Sequence, residues 1–180
     1  MSKIGKKNIT IPKESSVKIE GGNLIITGPK GSKTLSINDK IFSSKLNENE
    51  FNIQPLDKKI DKKISTMWGT YRSLINNAVI GVSAGHEKIL ELNGVGFRAN
   101  IKGEILNLQI GFSHDVNFKI PKDVKIIVEK QTTIKLSGVD KNLVAKTAAD
   151  IKSLKPVEPY KGKGIKERGQ FVLRKEGKKK

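Results

Sequence analysis

The chain has no cysteine, only two histidines in 180 residues, and 5% aromatics. Without cysteine there is no disulfide, no thiolate metal site and no thiol nucleophile, and an intracellular protein is the natural expectation. His86 and His114 stand apart, with no local carboxylate spacing that makes a metal site, so neither metal nor cofactor is implied. So few aromatics, with no basic–aromatic run among them, argue against a stacking platform for single strands. No apolar run approaches the length that crosses a bilayer. The opening, Met1-Ser2-Lys3-Ile4-Gly5-Lys6-Lys7, is basic and lacks the apolar stretch of a secretory signal.

What is abundant is positive charge. Lys and Arg number 35 against 18 Asp and Glu, a net +17. Self-repulsion on this scale calls for a polyanionic partner, nucleic acid first and an acidic membrane surface second. The charge is uneven. Residues 141–180 carry 13 basic and 4 acidic side chains, +9, and the first 140 carry 22 and 14, +8. A basic C-terminal end on a more balanced body is an electrostatic anchor.

Within that end lies Pro159-Tyr160-Lys161-Gly162-Lys163-Gly164-Ile165. Glycine lets the backbone approach a ligand closely, and lysine supplies a compact positive charge. Alternating them offers N–H and ammonium groups to a run of phosphates. Alone, such a stretch reads as a flexible linker. Its charged surroundings turn the reading toward RNA.

Two stretches resemble each other. Ile11-Pro12-Lys13 leads into Val17, Ile19, Leu24 and Ile26 and then Gly28, and Ile120-Pro121-Lys122 leads into Val124, Ile126, Val128, Ile134 and Leu136 and then Gly138. The offset is 109 at the prolines (121 − 12) and 110 at the glycines (138 − 28). Both read as strand, turn, strand, glycine turn, which predicts a duplicated module. Each half supplies one helix. In the first, Ile60, Ile64, Met67, Tyr71, Leu74 and Ala78 form an apolar stripe behind Asp57 as N-cap, with Gly81 and Gly85 at the exit; Met67 and Trp68 read as core filling. In the second, Asp140 caps a helix turning Val144, Ala148, Ile151 and Leu154 inward until Pro156 stops it. Between them, residues 88–93, 97–101, 105–110 and 116–120 form four alternating runs, a meander with a tight turn at Lys102-Gly103-Glu104, and Phe97, Phe112 and Phe118 fit a core-facing alternation. The predicted class is α+β: two duplicated small domains, each a mainly antiparallel sheet packed against a helix, over 1–82 and 83–155. An extended basic tail, 156–180, belongs to the second domain and is ordered mainly by a partner.

Other motifs carry less. Gly94-Val95-Gly96-Phe97-Arg98-Ala99 matches a nucleotide-binding fingerprint, but an alternating run follows where a helix is required, so a glycine-rich turn is the better reading. Gly28-Pro29-Lys30-Gly31-Ser32-Lys33-Thr34 lacks phosphate-loop spacing and reads as a turn with lysines in reach of phosphate. Ser113-His114-Asp115 are neighbours, whereas a hydrolytic triad assembles from separated positions. Nothing supports catalysis.

The opening Ser2-Lys3-Ile4-Gly5-Lys6, Gly28-Pro29-Lys30-Gly31, Trp68-Gly69-Thr70-Tyr71-Arg72-Ser73-Leu74-Ile75, Leu92-Asn93-Gly94-Val95-Gly96-Phe97-Arg98-Ala99, Gly111-Phe112-Ser113-His114 and Pro156 to Ile165, in this order, resemble the family of the sixth protein of the large ribosomal subunit, bacterial type. The chain departs from the family pattern at Lys166-Glu167 and Gly169-Gln170. The resemblance implies two duplicated α+β domains and binding to large-subunit ribosomal RNA. It also implies a seat by neighbouring ribosomal proteins at the stalk base, near the sarcin-ricin loop where translational GTPases dock. Most RNA contact would come from the C-terminal domain and tail. Lys161, Lys163, Lys166, Arg168, Arg174, Lys175 and Lys178 are then expected at phosphates, Gly162 and Gly164 at close backbone approach, and Tyr160 packing or stacking at the segment's exit. Bacterial and organellar ribosomes both fit a composition rich in lysine, isoleucine and asparagine. The alternative is a free-standing basic RNA chaperone or membrane-surface protein using the same tail.

Overall fold

The structure is a computed structural model and describes residues 2–47, 49–57 and 61–177. The chain divides into two compact units: residues up to Gly85 with Val139–Lys141, and His86–Gly138 with the residues from Asn142 on.

The first unit runs β1 (Ile9–Thr10), β2 (Ser16–Glu20), β3 (Asn23–Gly28), β4 (Gly31–Ser36), β5 (Phe42–Asn47), β6 (Glu50–Pro55) and α1 (Lys62–Ser83). Its strands form two antiparallel sheets, ordered β2-β3-β4 and β1-β6-β5. Alternation sends Leu24 and Ile26 from the first sheet, and Phe51 and Ile53 from the second, into a shared core with Ile9 and Phe42. Helix α1 closes that core with Trp68, Ile75, Val79 and Val82, spaced 7, 4 and 3 residues apart. Trp68 is secured at both ends of its character: its ring is buried and its Nε1–H donates to Ile53 O at 2.6 Å.

Two details of α1 differ from the sequence expectation. The N-cap is Asp61, whose carboxylate accepts from Lys62 N–H, not Asp57. The buried stripe also lies partly one residue further round: Ala78 is buried as expected, but Trp68 and Ile75 are buried where Met67 and Tyr71 pack at its margin and Leu74 is half-buried. Ile60 falls outside the described residues. Gly81 lies inside the helix and only Gly85 marks its exit. At that exit Lys30 N–H donates to Val82 O at 3.0 Å and its ammonium bonds Ala84 O. The Gly28–Gly31 turn thus puts a cation at the negative end of α1.

The second unit runs β7 (His86–Asn93), β8 (Arg98–Lys102), β9 (Ile105–Gln109), β10 (Val116–Lys119), β11 (Val124–Glu129), β12 (Thr133–Gly138), α2 (Lys141–Leu154) and β13 (Gly164–Glu167). Its antiparallel sheets are ordered β10-β9-β8 and β11-β12-β7-β13. The expected four-strand meander is therefore a three-strand one. β7 alternates as predicted but pairs with β12 and β13, because alternation fixes which face is buried and not which strand lies alongside. Val144, Ala148 and Ile151 of α2 enter the core with Leu90, Leu106, Leu108, Ile134 and Leu136.

The duplication is real, in a different register. β1, β2-β3-β4, β5-β6 and α1 recur in order as β7, β8-β9-β10, β11-β12 and α2. Buried Leu24 and Ile26 correspond to Leu106 and Leu108, an offset of 82 (106 − 24). The pair Phe42↔Pro55 corresponds to Val124↔Gly138, offsets 82 (124 − 42) and 83 (138 − 55). The offset near 110 had matched β2-β3 to β11-β12. Any two amphipathic hairpins share a two-residue period, so the wrong pair can match well. Among the described residues no helix is long and apolar enough to cross a membrane.

Candidate nucleic-acid interface

Helix α2 ends at Leu154, just before Pro156, and the chain leaves the body of the second unit. It returns as β13, antiparallel to β7, with Ile165 opposite Leu92 and Lys166 opposite Glu91. Ile165 is 0% exposed, and its N–H donates to Lys155 O at 2.9 Å. A tail expected to wait for a partner thus places four residues in the protein's own sheet. One apolar side chain in four residues has no visible period, which is why the strand escaped notice.

Between exit and return, residues 158–163 form a closed loop. Glu158 N–H donates to Lys163 O at 2.8 Å, and Gly162 N–H donates to Glu158 O at 3.1 Å. Along it exposure alternates: Lys161 and Lys163 are exposed, Gly162 and Gly164 buried. The glycines are required. Gly164 has φ +137°, and a Cβ there would lie 2.6 Å from Pro156 O and 2.7 Å from Val157 Cα. Gly162 has φ +70° and lies against the Nε–Nη2 edge of the Arg174 guanidinium. Glycine pulls the backbone in, and each lysine beside it is turned out. Tyr160 is 54% exposed at the same turn, and Lys175 N–H donates to Pro159 O at 2.9 Å.

The other basic residues of the segment separate from this group. Lys166 Nζ lies 3.2 Å from Glu91 Oε2 and Arg168 Nε 3.1 Å from Glu91 Oε1. The Arg168 hydrogen bond, then that of Lys166, holds the Glu91 carboxyl below its usual value of 4.5. Glu167 forms an ion pair with Lys88 on the same strand, β7. These contacts join β13 to β7 across about 75 residues of sequence, so Lys166 and Arg168 already have a carboxylate partner (166 − 91 = 75). Glu91 and Lys88 were missed; no local spacing points to a partner that far away. Lys178 falls outside the described residues.

Nearby, Lys155 Nζ sits 4.6 Å from the centroid of Phe112, a ring 48% exposed and not in the core as its alternation implied. The loop at 111–115 breaks the strand period before Phe112 can turn inward. Gln170 to Leu173 line a groove of about 560 Å3 with Ala149, Lys152 and Ser153 of α2. At Gly94–Ala99 a turn leads directly into β8, so no helix follows and the nucleotide-binding reading falls.

A family model described as ribosomal protein L6 matches residues 11–85 and 93–168. The matched segments begin 82 residues apart (93 − 11), the offset of the structural repeat. The chain is 44% identical over 180 residues to the large ribosomal subunit protein uL6 of Sphingopyxis alaskensis, covering all of both proteins. It is 45% identical over 180 residues to that of Novosphingobium aromaticivorans, again in full. To that of Staphylococcus carnosus it is 48% identical over 179 residues, 99% of this chain and 98% of the relative.

Proposed function

The chain belongs to the ribosomal protein L6 family, and on that premise we propose that it is a structural constituent of the large ribosomal subunit whose second unit grips ribosomal RNA. It is a ribosomal protein and not an enzyme. The named relatives are bacterial, which puts it in the cytoplasmic ribosome. In this reading the domain and its 156–180 extension hold large-subunit ribosomal RNA at the base of the stalk. Neighbouring ribosomal proteins, the sarcin-ricin loop and docking translational GTPases are close by.

One observation carries the RNA reading: a closed loop whose buried glycines turn Lys161 and Lys163 out to solvent. Ammonium groups carried by a hydrogen-bonded loop suit folded RNA, whose phosphates hold fixed spacings and whose bases are mostly paired. Arg174 and Lys175 return to the same loop, and Lys178 follows them in sequence. Tyr160 offers an exposed ring at its edge for packing or stacking. Lys166 and Arg168 add to the field mainly at a distance, because a phosphate must compete with Glu91 for them.

The test is a double variant, Lys161→Glu with Lys163→Glu, titrated against large-subunit ribosomal RNA over a range of salt. Loss of two phosphate contacts lowers affinity and flattens the log–log salt slope by about two units. An unchanged slope means that these lysines are not at phosphates.

A further inference from the structure

The lysine loop is held from outside by the chain that follows it. Besides the Lys175 N–H to Pro159 O bond, the Arg174 side chain covers Gly162. A Cβ built on Gly162 would lie 3.4 Å from Arg174 Nη2, 3.5 Å from Nε and 3.8 Å from Cζ. The two nitrogens are nearest and Cζ lies behind them, so the guanidinium turns its Nε–Nη2 edge toward the glycine. Gly162 is buried although Lys161 and Lys163 on either side are exposed, and the guanidinium is part of its cover. Setting two nitrogens side by side against a peptide is open to a planar guanidinium and closed to a compact ammonium.

We infer that Arg174 is a positioning residue: its guanidinium edge, set against Gly162, gives the 158–163 loop its binding shape before any RNA arrives. The inference rests on the RNA reading above. It adds a second role to the sequence expectation that Arg174 neutralises phosphate. A loop shaped in advance loses less conformational freedom on binding, so Lys161 and Lys163 engage with their full effect. Position 162 needs glycine for its positive φ, and a Cβ there would meet the guanidinium at ordinary van der Waals distance.

The experiment compares Arg174→Lys with Arg174→Ala in the full chain. Without RNA, exchange of the Gly162 amide speeds up about tenfold in both variants, while amides of β9 keep their wild-type rates. With purified large-subunit ribosomal RNA both bind about tenfold more weakly, and Arg174→Lys retains the wild-type salt slope because its charge remains. Full recovery of exchange and affinity by Arg174→Lys overturns the proposal, since charge would then suffice. So does wild-type Gly162 exchange in Arg174→Ala. Unaltered affinity in both variants, with weak binding by the Lys161→Glu, Lys163→Glu double variant, overturns positioning alone. Normal binding by that double variant brings down the RNA reading and the positioning role with it.

Discussion

The two units carry one topology and have diverged in what they add to it. At equivalent core positions the first unit has Phe42, Phe51 and Ile53 where the second has Val124, Ile134 and Leu136. The first strand is two residues in one unit, β1, and eight in the other, β7. β1 pairs with β6 alone, whereas β7 has β12 on one side and β13 on the other. The longer strand has room for an extra partner, and that partner is the return leg of the lysine loop. Duplication thus leaves one copy as a compact body and gives the other an edge on which a later segment of the chain docks by ordinary strand pairing.

The sharpest way to break this comparison is to remove the docked strand. Gly164→Val places a branched side chain at φ +137° and drives its Cβ toward Pro156 O, 2.6 Å away. Strain and clash together cost about 3 kcal/mol or more, enough to release β13. Amide exchange at Ile165, whose N–H is bonded to Lys155 O, then approaches that of an open chain. Amides of β3 in the first unit stay protected. If Ile165 keeps its protection, the glycine is not what lets the strand dock.

A smaller effect is expected from trading the two cores. Ile134 and Phe51 occupy equivalent positions, opposite Leu90 and Ile9, and both are fully buried. Ile134→Phe overpacks the core around Leu90, Leu106 and Leu136 and costs about 2 kcal/mol. Phe51→Ile leaves unfilled space in the aromatic core and costs about 1–2 kcal/mol. Urea midpoints measure both. Two neutral substitutions would mean that the cores are interchangeable and that their divergence carries no packing information.

Much of this was legible in the residues. Strands of five or six alternating positions, such as β3 and β12, stand out by period, and the α2 face through Val144, Ala148 and Ile151 was read correctly. The lysine–glycine loop announced itself by composition. What stayed hidden is long-range. Alternation cannot say that β7 leaves the meander to join β12, nor that Lys166 meets Glu91. It also cannot tell one amphipathic hairpin from another, so the repeat was seen and its register missed. The guanidinium edge beside Gly162 belongs to the same class, since a contact between positions 162 and 174 follows from the path of the chain and not from either residue type.

The smallest effect, and the one most specific to the second unit, concerns the Glu91 clasp. Glu91 is partly exposed, so replacing it with Gln removes roughly 1 kcal/mol or less from the docking of β13. The sign with pH follows from the depressed carboxyl. A group whose folded value lies below 4.5 stabilises fully above 4.5, and that contribution disappears as the pH falls through the lowered folded value. The quantity to follow is the ratio of amide exchange in Glu91→Gln to that in the parent chain, in which the intrinsic pH dependence cancels. Arg168 N–H, which donates to Ile89 O at 2.9 Å, is the reporter, and amides of β6 are the control. From about pH 6 down to about pH 3 the ratio at Arg168 should fall toward one while the control ratio stays near one throughout. A ratio that holds its neutral value into acid would mean that Ile165 and the ladder hydrogen bonds fasten the strand unaided, with the ions as bystanders.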